Sequence, residues 1–149
     1  MNENKKLNKK ILIFTAHPDD HLCCAGTLMY FHDLGFKTTE VVFTGGENSM
    51  WLNNSYEEKG IYIDKEKLKE KLKKHRKKEI LNASKAIGID ETIFLGLPDG
   101  NVLRSLEVLD RLVGIIRKVR PQIVISMNPL DSHYDHKKIG EIAGEAAER

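Results

Sequence analysis

Two short clusters of histidine and aspartate contain the side chains of this sequence that are best suited to chemistry. The first cluster spans residues 17–21 and reads HPDDH, directly after an apolar run. The second spans residues 133–136 and reads HYDH, shortly after another apolar run. Two histidines and one carboxylate form a common ligand set of hydrolytic zinc sites, in which water takes the fourth position. The remaining carboxylates and histidines are suited to transferring protons or stabilising an oxyanion.

Each cluster alone also has an ordinary structural explanation. Asp19 or Asp20 could simply cap a following helix, because aspartate is a preferred N-cap residue. A site is favoured because both clusters follow predicted buried strands. In a doubly wound sheet, ligands bind at the carboxyl ends of the strands, near the point where the strand order reverses. If the first and fourth strands are neighbours, the two clusters face each other.

The strands that position these clusters are predicted by four short apolar runs, at 11–15, 38–44, 92–95 and 123–126. Apolar residues at helical spacing alternate with them, at 22–34, 65–87, 106–116 and from 136 to the end. This alternation predicts an α/β fold with a parallel sheet covered on both faces. The architecture that we expect is a three-layer sandwich with a Rossmann-like sheet in the order 3-2-1-4. The length predicts a single domain, 1–149. A nucleotide-binding Rossmann protein is disfavoured because no GxGxxG motif follows the first strand.

The first helix is predicted by Leu22, Ala25, Met29 and Leu34, which recur at helical spacing, and Gly35 is a plausible stop. The adjacent Cys23 and Cys24 cannot join distant segments, and we expect both to be small buried helix residues. The lysine-rich stretch 65–78 is interpreted as the solvated face of an amphipathic helix and not as a nucleic-acid surface. Residues 46–62 show no period and predict a long surface loop, with Trp51 as a packing anchor.

Composition and charge exclude several classes of function. The 24 basic and 22 acidic residues leave a net charge of +2, which is too small to indicate nucleic acid or an anionic membrane as a partner. No apolar run approaches the roughly 20 residues of a membrane span. The polar lead-in, residues 1–10, lacks the apolar core of a signal peptide. We therefore expect a cytoplasmic protein; a homo-oligomer remains open.

The AHPDD block at 16–20, together with the HxDH pattern at 133–136, resembles the PIG-L/LmbE-like family of zinc-dependent de-N-acetylases. Weaker matches are TGGE at 44–47, RxxE at 76–79 and LPDG at 97–100, so the resemblance extends over residues 11–140. It implies hydrolysis of an N-acyl bond, foremost the acetamide of an N-acetylated amino sugar or its conjugate.

The resemblance also implies a metal site. His17, Asp20 and His136 would bind Zn²⁺, although Fe²⁺ or Co²⁺ would suit the same ligands. Zinc–ligand bonds of about 2.0–2.2 Å place the ligand atoms roughly 3–3.5 Å apart. We therefore expect one ring nitrogen of each histidine and one oxygen of Asp20 to converge to that spacing.

The other roles are implied in the same way. Asp19 would act as the general base. His133 would stabilise the oxyanion or act as an acid, and Asp135 would orient it. Arg76 and Asp99 match positions that contact the substrate in some members of the family.

The chain departs from the family pattern in three places. His21 replaces the usual glutamate after the aspartate pair, and its contact with solvent, substrate or metal, or the absence of any role, is left open. Residues 23–26, CCAG, replace a glycine-rich stretch. The chain ends within the helix that follows the HxDH pattern, where family members usually continue. A truncated, non-catalytic binding module on the same metal-binding fold is therefore the alternative to a deacetylase.

Overall fold

The computed structural model describes residues 9–49 and 64–149. Its four parallel strands are β1 (Lys10–Thr15), β2 (Lys37–Thr44), β3 (Glu91–Leu97) and β4 (Ile123–Ile125). The α-helices of the described ranges are α1 (Ala25–Asp33), α2 (Lys65–Ala86), α3 (Leu106–Val119) and α4 (Tyr134–Ala147). Most of the predicted lead-in, residues 1–8, lies outside the described residues, as do positions 50–62 of the predicted loop with Trp51.

The strands form one sheet in the order β3-β2-β1-β4, which confirms the predicted order. β1 lies between β2 and β4, and Ile13 pairs with Glu40 on one side and with Ile125 on the other. The chain builds outward from β1 through β2 to β3, and then returns to the opposite side of β1. The loops after β1 and β4 therefore flank the point where the strand order reverses, which is where such sheets bind ligands.

Helices cover both faces of the sheet. Alternate side chains of β1 point to opposite faces, and since they are apolar on both faces, each face needs a cover. Leu12 and Phe14 belong to the larger core, which is shared with α3 and α4. Ile11 and Ile13 belong to the smaller core, which they share with Leu28 of α1. All four of these strand residues are almost completely buried, and burial of each such side chain contributes about 1.5–3 kcal/mol. The three-layer sandwich is the arrangement that buries both faces at once.

The first helix is present, but the residues that predicted it by their spacing do not form its buried face. Leu22, Met29 and Leu34 are exposed by 58%, 49% and 44%, whereas Leu28 is 1% exposed. The physical reason is that Asp20–Cys24 forms a 3₁₀ turn, so the α-helix begins only at Ala25. A 3₁₀ turn has three residues per turn instead of 3.6, which shifts the phase of the pattern that follows.

The burial of the two cysteines and the start of α4 also differ from the predictions. Cys23 is exposed and Cys24 is half-buried, so the expectation that both are buried is wrong. α4 begins at Tyr134, two residues before the predicted start, and His133 occupies the N-cap position. The second cluster therefore straddles a helix N-terminus. In the described ranges, no helix combines the length and apolar character needed to cross a membrane.

Candidate metal centre and cleft

The structure brings the ends of the two clusters together at the carboxyl edge of β1 and β4. His17 Nδ1 and His136 Nε2 are 3.3 Å apart. The Asp20 carboxylate completes a triangle, with Oδ2 3.5 Å from His17 Nδ1 and Oδ1 3.4 Å from His136 Nε2. Each of these three distances lies in the range expected between ligand atoms of one zinc ion, and Asp20 approaches the two histidines through different oxygens.

Asp20 does not cap the helix that follows it. Its Oδ2 accepts hydrogen bonds from the backbone N–H groups of Ala16 and His17, at 2.9 and 2.7 Å. Burial opposes ionisation, but the hydrogen bonds from the His17 side chain and backbone outweigh it and lower the pKa of Asp20. The loop therefore holds an ionised carboxylate, the form that binds a metal. Asp19 likewise makes no side-chain capping bond.

His17 is held on its far side by two carboxylates. Its Nε2 lies 3.1 Å from Asp99 Oδ1 and 3.4 Å from Asp135 Oδ2. Burial opposes protonation of the ring, but hydrogen bonds and charge attraction from Asp20 and Asp99 raise the pKa of His17 to about 10. The ring is therefore protonated in the absence of a cation, and a metal at Nδ1 would displace that proton.

His136 has a matching partner, Asp131, which was not among the residues predicted from the sequence. Asp131 Oδ2 lies 3.1 Å from His136 Nδ1, while Asp131 Oδ1 accepts a hydrogen bond from the backbone N–H of His133 at 2.8 Å. A carboxylate on the outer nitrogen of a ligating histidine fixes the ring orientation and tautomer. The signal available in the sequence was an aspartate five positions before His136, in the turn that leads into α4.

The donor set fits a divalent metal. Each histidine is held by a carboxylate on one nitrogen and directs the other nitrogen toward the same point, with the Asp20 carboxylate beside it. Two imidazole nitrogens and one carboxylate oxygen are ligands that zinc accepts. Within the described ranges, His17, His133 and His136 also lie close enough to share an ion, as do His17, Asp99 and Asp135. Asp20 lies beside the same two inner nitrogens, with one oxygen 3.5 Å from His17 Nδ1 and the other 3.4 Å from His136 Nε2.

His133 faces the two other histidines, but Asp135 does not orient it. The His133 ring centroid is 4.9 Å from that of His17 and 4.5 Å from that of His136. Asp135 is buried and accepts hydrogen bonds from the backbone N–H groups of Gly100 and Val102. The implied Asp135–His133 contact is therefore corrected to an Asp135–His17 contact. Side chains two positions apart at the start of a helix point in different directions, so the Asp135 carboxylate does not reach the His133 ring.

Asp19 and Arg76 lie together at the rim of the site. The Asp19 side chain is 61% exposed, and its Oδ2 is 2.8 Å from Arg76 Nη2. Arg76 Nη1 also donates to the Gly46 carbonyl at 3.2 Å. A Cβ at Gly46 would lie 2.5 Å from Arg76 Nη1, and φ there is +66°, so glycine leaves room for the guanidinium. α2 thus supplies the group that holds Asp19 in place.

Both carboxylate oxygens of Asp99 already have partners within the protein, which leaves neither free to contact a substrate. Oδ1 engages His17, and Oδ2 accepts from the backbone N–H of Asn48 at 2.7 Å. Glu47 in turn accepts from the backbone N–H of Asp99 at 3.3 Å. The TGGE and LPDG segments therefore bind each other and support the His17 ring.

An open cleft of about 530 Å³ lies above these groups. Both clusters line it, with side chains from the loop after β2, from α2 and from the turn after β3: His17, Asp19, Asp20, Leu22, Cys23, Asn48, Ser49, Arg76, Asp99, His133 and His136. His21 does not line it, because its side chain is fully buried against Glu40 of β2.

A close backbone approach sets the position of α4. A Cβ on Gly140 would lie 2.6 Å from the Met127 carbonyl oxygen and 2.7 Å from the Pro129 nitrogen. Any side chain there would push the helix away from the loop after β4. Gly140 lies one turn after His136, so it places that ring as well.

Comparison with known proteins identifies the family. The model of the family described as PIG-L, GlcNAc-PI de-N-acetylase, matches residues 12–147. A probable N-acetyl-alpha-D-glucosaminyl L-malate deacetylase 2 from Bacillus cereus is 28% identical over 151 residues, covering 96% of this chain and 63% of that protein. N,N'-diacetylchitobiose deacetylase from Pyrococcus horikoshii superposes with a TM-score of 0.80 at 27% identity, covering 94% of this chain and 49% of that one.

A second solved structure belongs to a protein named for a different activity. GalB, the 4-carboxy-2-hydroxymuconate hydratase from Pseudomonas putida, superposes with a TM-score of 0.79 at 25% identity, covering 93% of this chain and 55% of that one. The chain thus spans less than two thirds of these relatives. The family match nevertheless includes both clusters and every strand except the first residues of β1. By its sequence and its fold, this chain belongs to the PIG-L family.

Proposed function

We propose that this chain is a metal-dependent hydrolase that removes the acetyl group from an N-acetylated amino sugar or its conjugate, with Zn²⁺ as the metal. The observation that carries the proposal is the 3.3 Å approach of His17 Nδ1 to His136 Nε2 with the Asp20 carboxylate beside both, Oδ2 3.5 Å from the first nitrogen and Oδ1 3.4 Å from the second. Carboxylates hold the outer nitrogens of both histidines, so the inner nitrogens point at one another. A cation between them explains that arrangement.

The chemistry follows from what surrounds this point. A bound divalent metal polarises a carbonyl and lowers the pKa of water toward neutrality. The oxygen of water bonds to the acetyl carbon, the carbon–nitrogen bond breaks, and the products are acetate and a free amine. In this proposal Asp19 takes the proton from water, and His133 stabilises the oxyanion or protonates the leaving nitrogen. Both side chains are exposed on the cleft.

Three further residues have supporting roles in the proposal. Arg76 orients Asp19 through their 2.8 Å contact and lines the cleft, where it can also meet the substrate. Asp99 and Asp135 are proposed to hold the His17 ring from behind. For Asp99, this positioning role takes precedence over the substrate contact implied by the resemblance, because both of its oxygens are engaged.

The substrate class is taken from the relatives. The Bacillus cereus and Pyrococcus horikoshii proteins are named for deacetylation of N-acetylated sugars. Because GalB, which has a similar fold, is named as a hydratase, the release of acetate and of free amine has to be measured directly. The alternative proposal is a non-catalytic binding module, which would keep the metal and the cleft without turnover.

The test is an assay of both products. The chain is freed of metal with a chelator, reloaded with Zn²⁺ or Co²⁺, and incubated with N,N'-diacetylchitobiose and with N-acetylglucosamine conjugates. We expect acetate and free amine in equal amounts, only with the metal present, and at a rate about 10²–10⁴-fold lower in Asp19→Asn. Metal binding without release of acetate from any N-acetylated amino sugar would support the binding module instead.

A further inference from the structure

A buried polar network lies behind the first cluster, on the face of the sheet covered by α1 and α2. His21 and Glu40 are both 0% exposed, and His21 Nδ1 lies 3.0 Å from Glu40 Oε1. Thr15 of β1 donates to the same oxygen at 3.2 Å. Ser84 of α2 donates to Glu40 Oε2 at 3.1 Å. One carboxylate on β2 therefore joins β1, α2 and the turn that contains His21.

Stability alone explains this network poorly. Strands of a parallel sheet covered on both faces are normally apolar, and a buried carboxylate needs hydrogen bonds and a partner. His21 Nε2 is buried and has no hydrogen-bond partner among the described residues. That orphaned nitrogen costs free energy that an apolar side chain would avoid. Buried ion pairs can often be replaced by apolar side chains without loss of stability.

The network is adjacent to a candidate metal ligand. His21 directly follows Asp20, so anchoring the His21 side chain to Glu40 restrains the backbone next to the Asp20 carboxylate. At the other end of the same loop, the Ala16 carbonyl accepts a hydrogen bond from Thr44 Oγ1 at 2.9 Å. Glu40 and Thr44 are four residues apart on β2, so both point to the same face of the strand. One strand thus anchors the HPDDH loop at both ends.

We propose that the buried His21–Glu40 pair is a positioning device, which fixes the Asp20 carboxylate where it meets His17 and His136. Ser84 and Thr15 orient Glu40, and Glu40 orients His21. The inference rests on the proposed metal-dependent function. It assigns a role to His21, whose contacts the sequence pattern leaves open, and to Glu40, a buried carboxylate in the middle of β2.

The test separates positioning from folding with a double variant. In His21→Leu/Glu40→Leu, apolar side chains fill the space of the pair, so we expect the metal-free protein to melt close to the parent. Zn²⁺ affinity, measured by competition with a chromogenic chelator, should fall about 10–100-fold, as for loss of groups that orient metal ligands. The absorption spectrum of the Co²⁺ form should change as well. Glu40→Gln keeps an acceptor for His21 and should retain most of the affinity.

The matched control is Thr38→Val, a buried position on the same face of β2 whose hydroxyl has no partner in the described part of the chain. A double variant that binds Zn²⁺ as tightly as Thr38→Val would overturn the inference. If the double variant does not fold, Ser84→Ala removes one bond that orients Glu40, and affinity equal to that of Thr38→Val is then the overturning result.

The outcomes separate this inference from the proposed function. An unmodified chain that binds no divalent metal would overturn both. A chain that binds Zn²⁺ but releases no acetate would overturn the deacetylase proposal alone, because the affinity comparison does not depend on turnover.

Discussion

His17 Nδ1 and His136 Nε2 lie 3.3 Å apart, although the two residues are separated by 119 positions in the chain. The contact exists because β1 and β4 pair in parallel, so the loops that follow them leave the sheet at the same edge. Asp99 holds the other nitrogen of His17, and Asp131 holds the other nitrogen of His136. The two rings are therefore oriented independently, from opposite sides of the site.

We expect one divalent metal ion per chain, since the three candidate ligands form a single set. His17→Ala, Asp20→Ala and His136→Ala should each lose most of the bound metal, because two remaining ligands are too few for a stable zinc site. Elemental analysis after dialysis measures occupancy. The control is His75→Ala, which removes an exposed histidine of α2. Full occupancy in all three ligand variants would refute the assignment.

The adjacent aspartates should differ in what they lose. Asp19→Asn should keep the metal and lose about 10²–10⁴-fold in turnover, since it removes the base and not a ligand. Asp20→Asn should lose both metal and turnover. Parallel measurements of metal content and acetate release distinguish the two. An exchange of the two phenotypes would mean that the roles are reversed.

Asp131 should matter for affinity although it is not one of the proposed ligands. Asp131→Ala leaves His136 Nδ1 without its partner, and we expect Zn²⁺ to bind about 10–100-fold more weakly. Chelator competition measures the change. Asp33→Ala, at an exposed position at the end of α1, is the comparison and should bind like the parent. Equal affinities for the two variants would show that Asp131 does not support the site.

Two glycines of α4 should respond oppositely to alanine. Gly140→Ala forces Cβ into the backbone of the loop after β4 and should destabilise the fold by about 1–3 kcal/mol. Gly144 has nothing within 4 Å of the added Cβ, so Gly144→Ala should stabilise the helix by about 0.5–1 kcal/mol. Urea unfolding of the metal-free proteins gives both values. A neutral effect at Gly140 would contradict the close approach.

Asp90 lies outside the candidate site, and we expect its carboxylate to make the free energy of unfolding fall at acid pH. Burial opposes its ionisation, but hydrogen bonds from the Lys37 side chain and the Thr38 backbone N–H outweigh it and lower the pKa of Asp90. A lowered folded-state pKa means that its stabilisation is complete above about pH 3.8, the ordinary value, and is lost as pH falls through the folded-state value.

The measurement for Asp90 is urea unfolding from neutral pH to about pH 2.5. The deficit of Asp90→Asn relative to the parent should be largest near neutrality and should shrink as the parent carboxyl becomes protonated. Asp110→Asn, at an exposed position on α3, is the control, and its difference in unfolding free energy from the parent should not shrink in this way. A deficit that stays constant across the range would mean that the charge of Asp90 does not contribute.

The architecture and the location of the site could be predicted from the sequence. The apolar runs at β1 and β4 are local signals, because a strand buried on both faces must be apolar at nearly every position. Each cluster directly follows, or lies a few residues beyond, one of these runs, so the parallel sheet alone places both at one edge. The resemblance added the roles of His17, Asp20 and His136, which stay predictions; the structure brings these three side chains together.

Tertiary structure decided what depends on contacts between distant elements. A 3₁₀ turn shifted the phase of α1, so Leu28 and not Met29 is buried. Asp135 supports His17 and not His133, because its direction is set by the start of α4 and by the turn after β3. The burial of His21 against Glu40 depends on the pairing of β1 with β2. Periodicity encodes which residues face a core, but partners across elements follow from strand register and helix phase, which no local pattern contains.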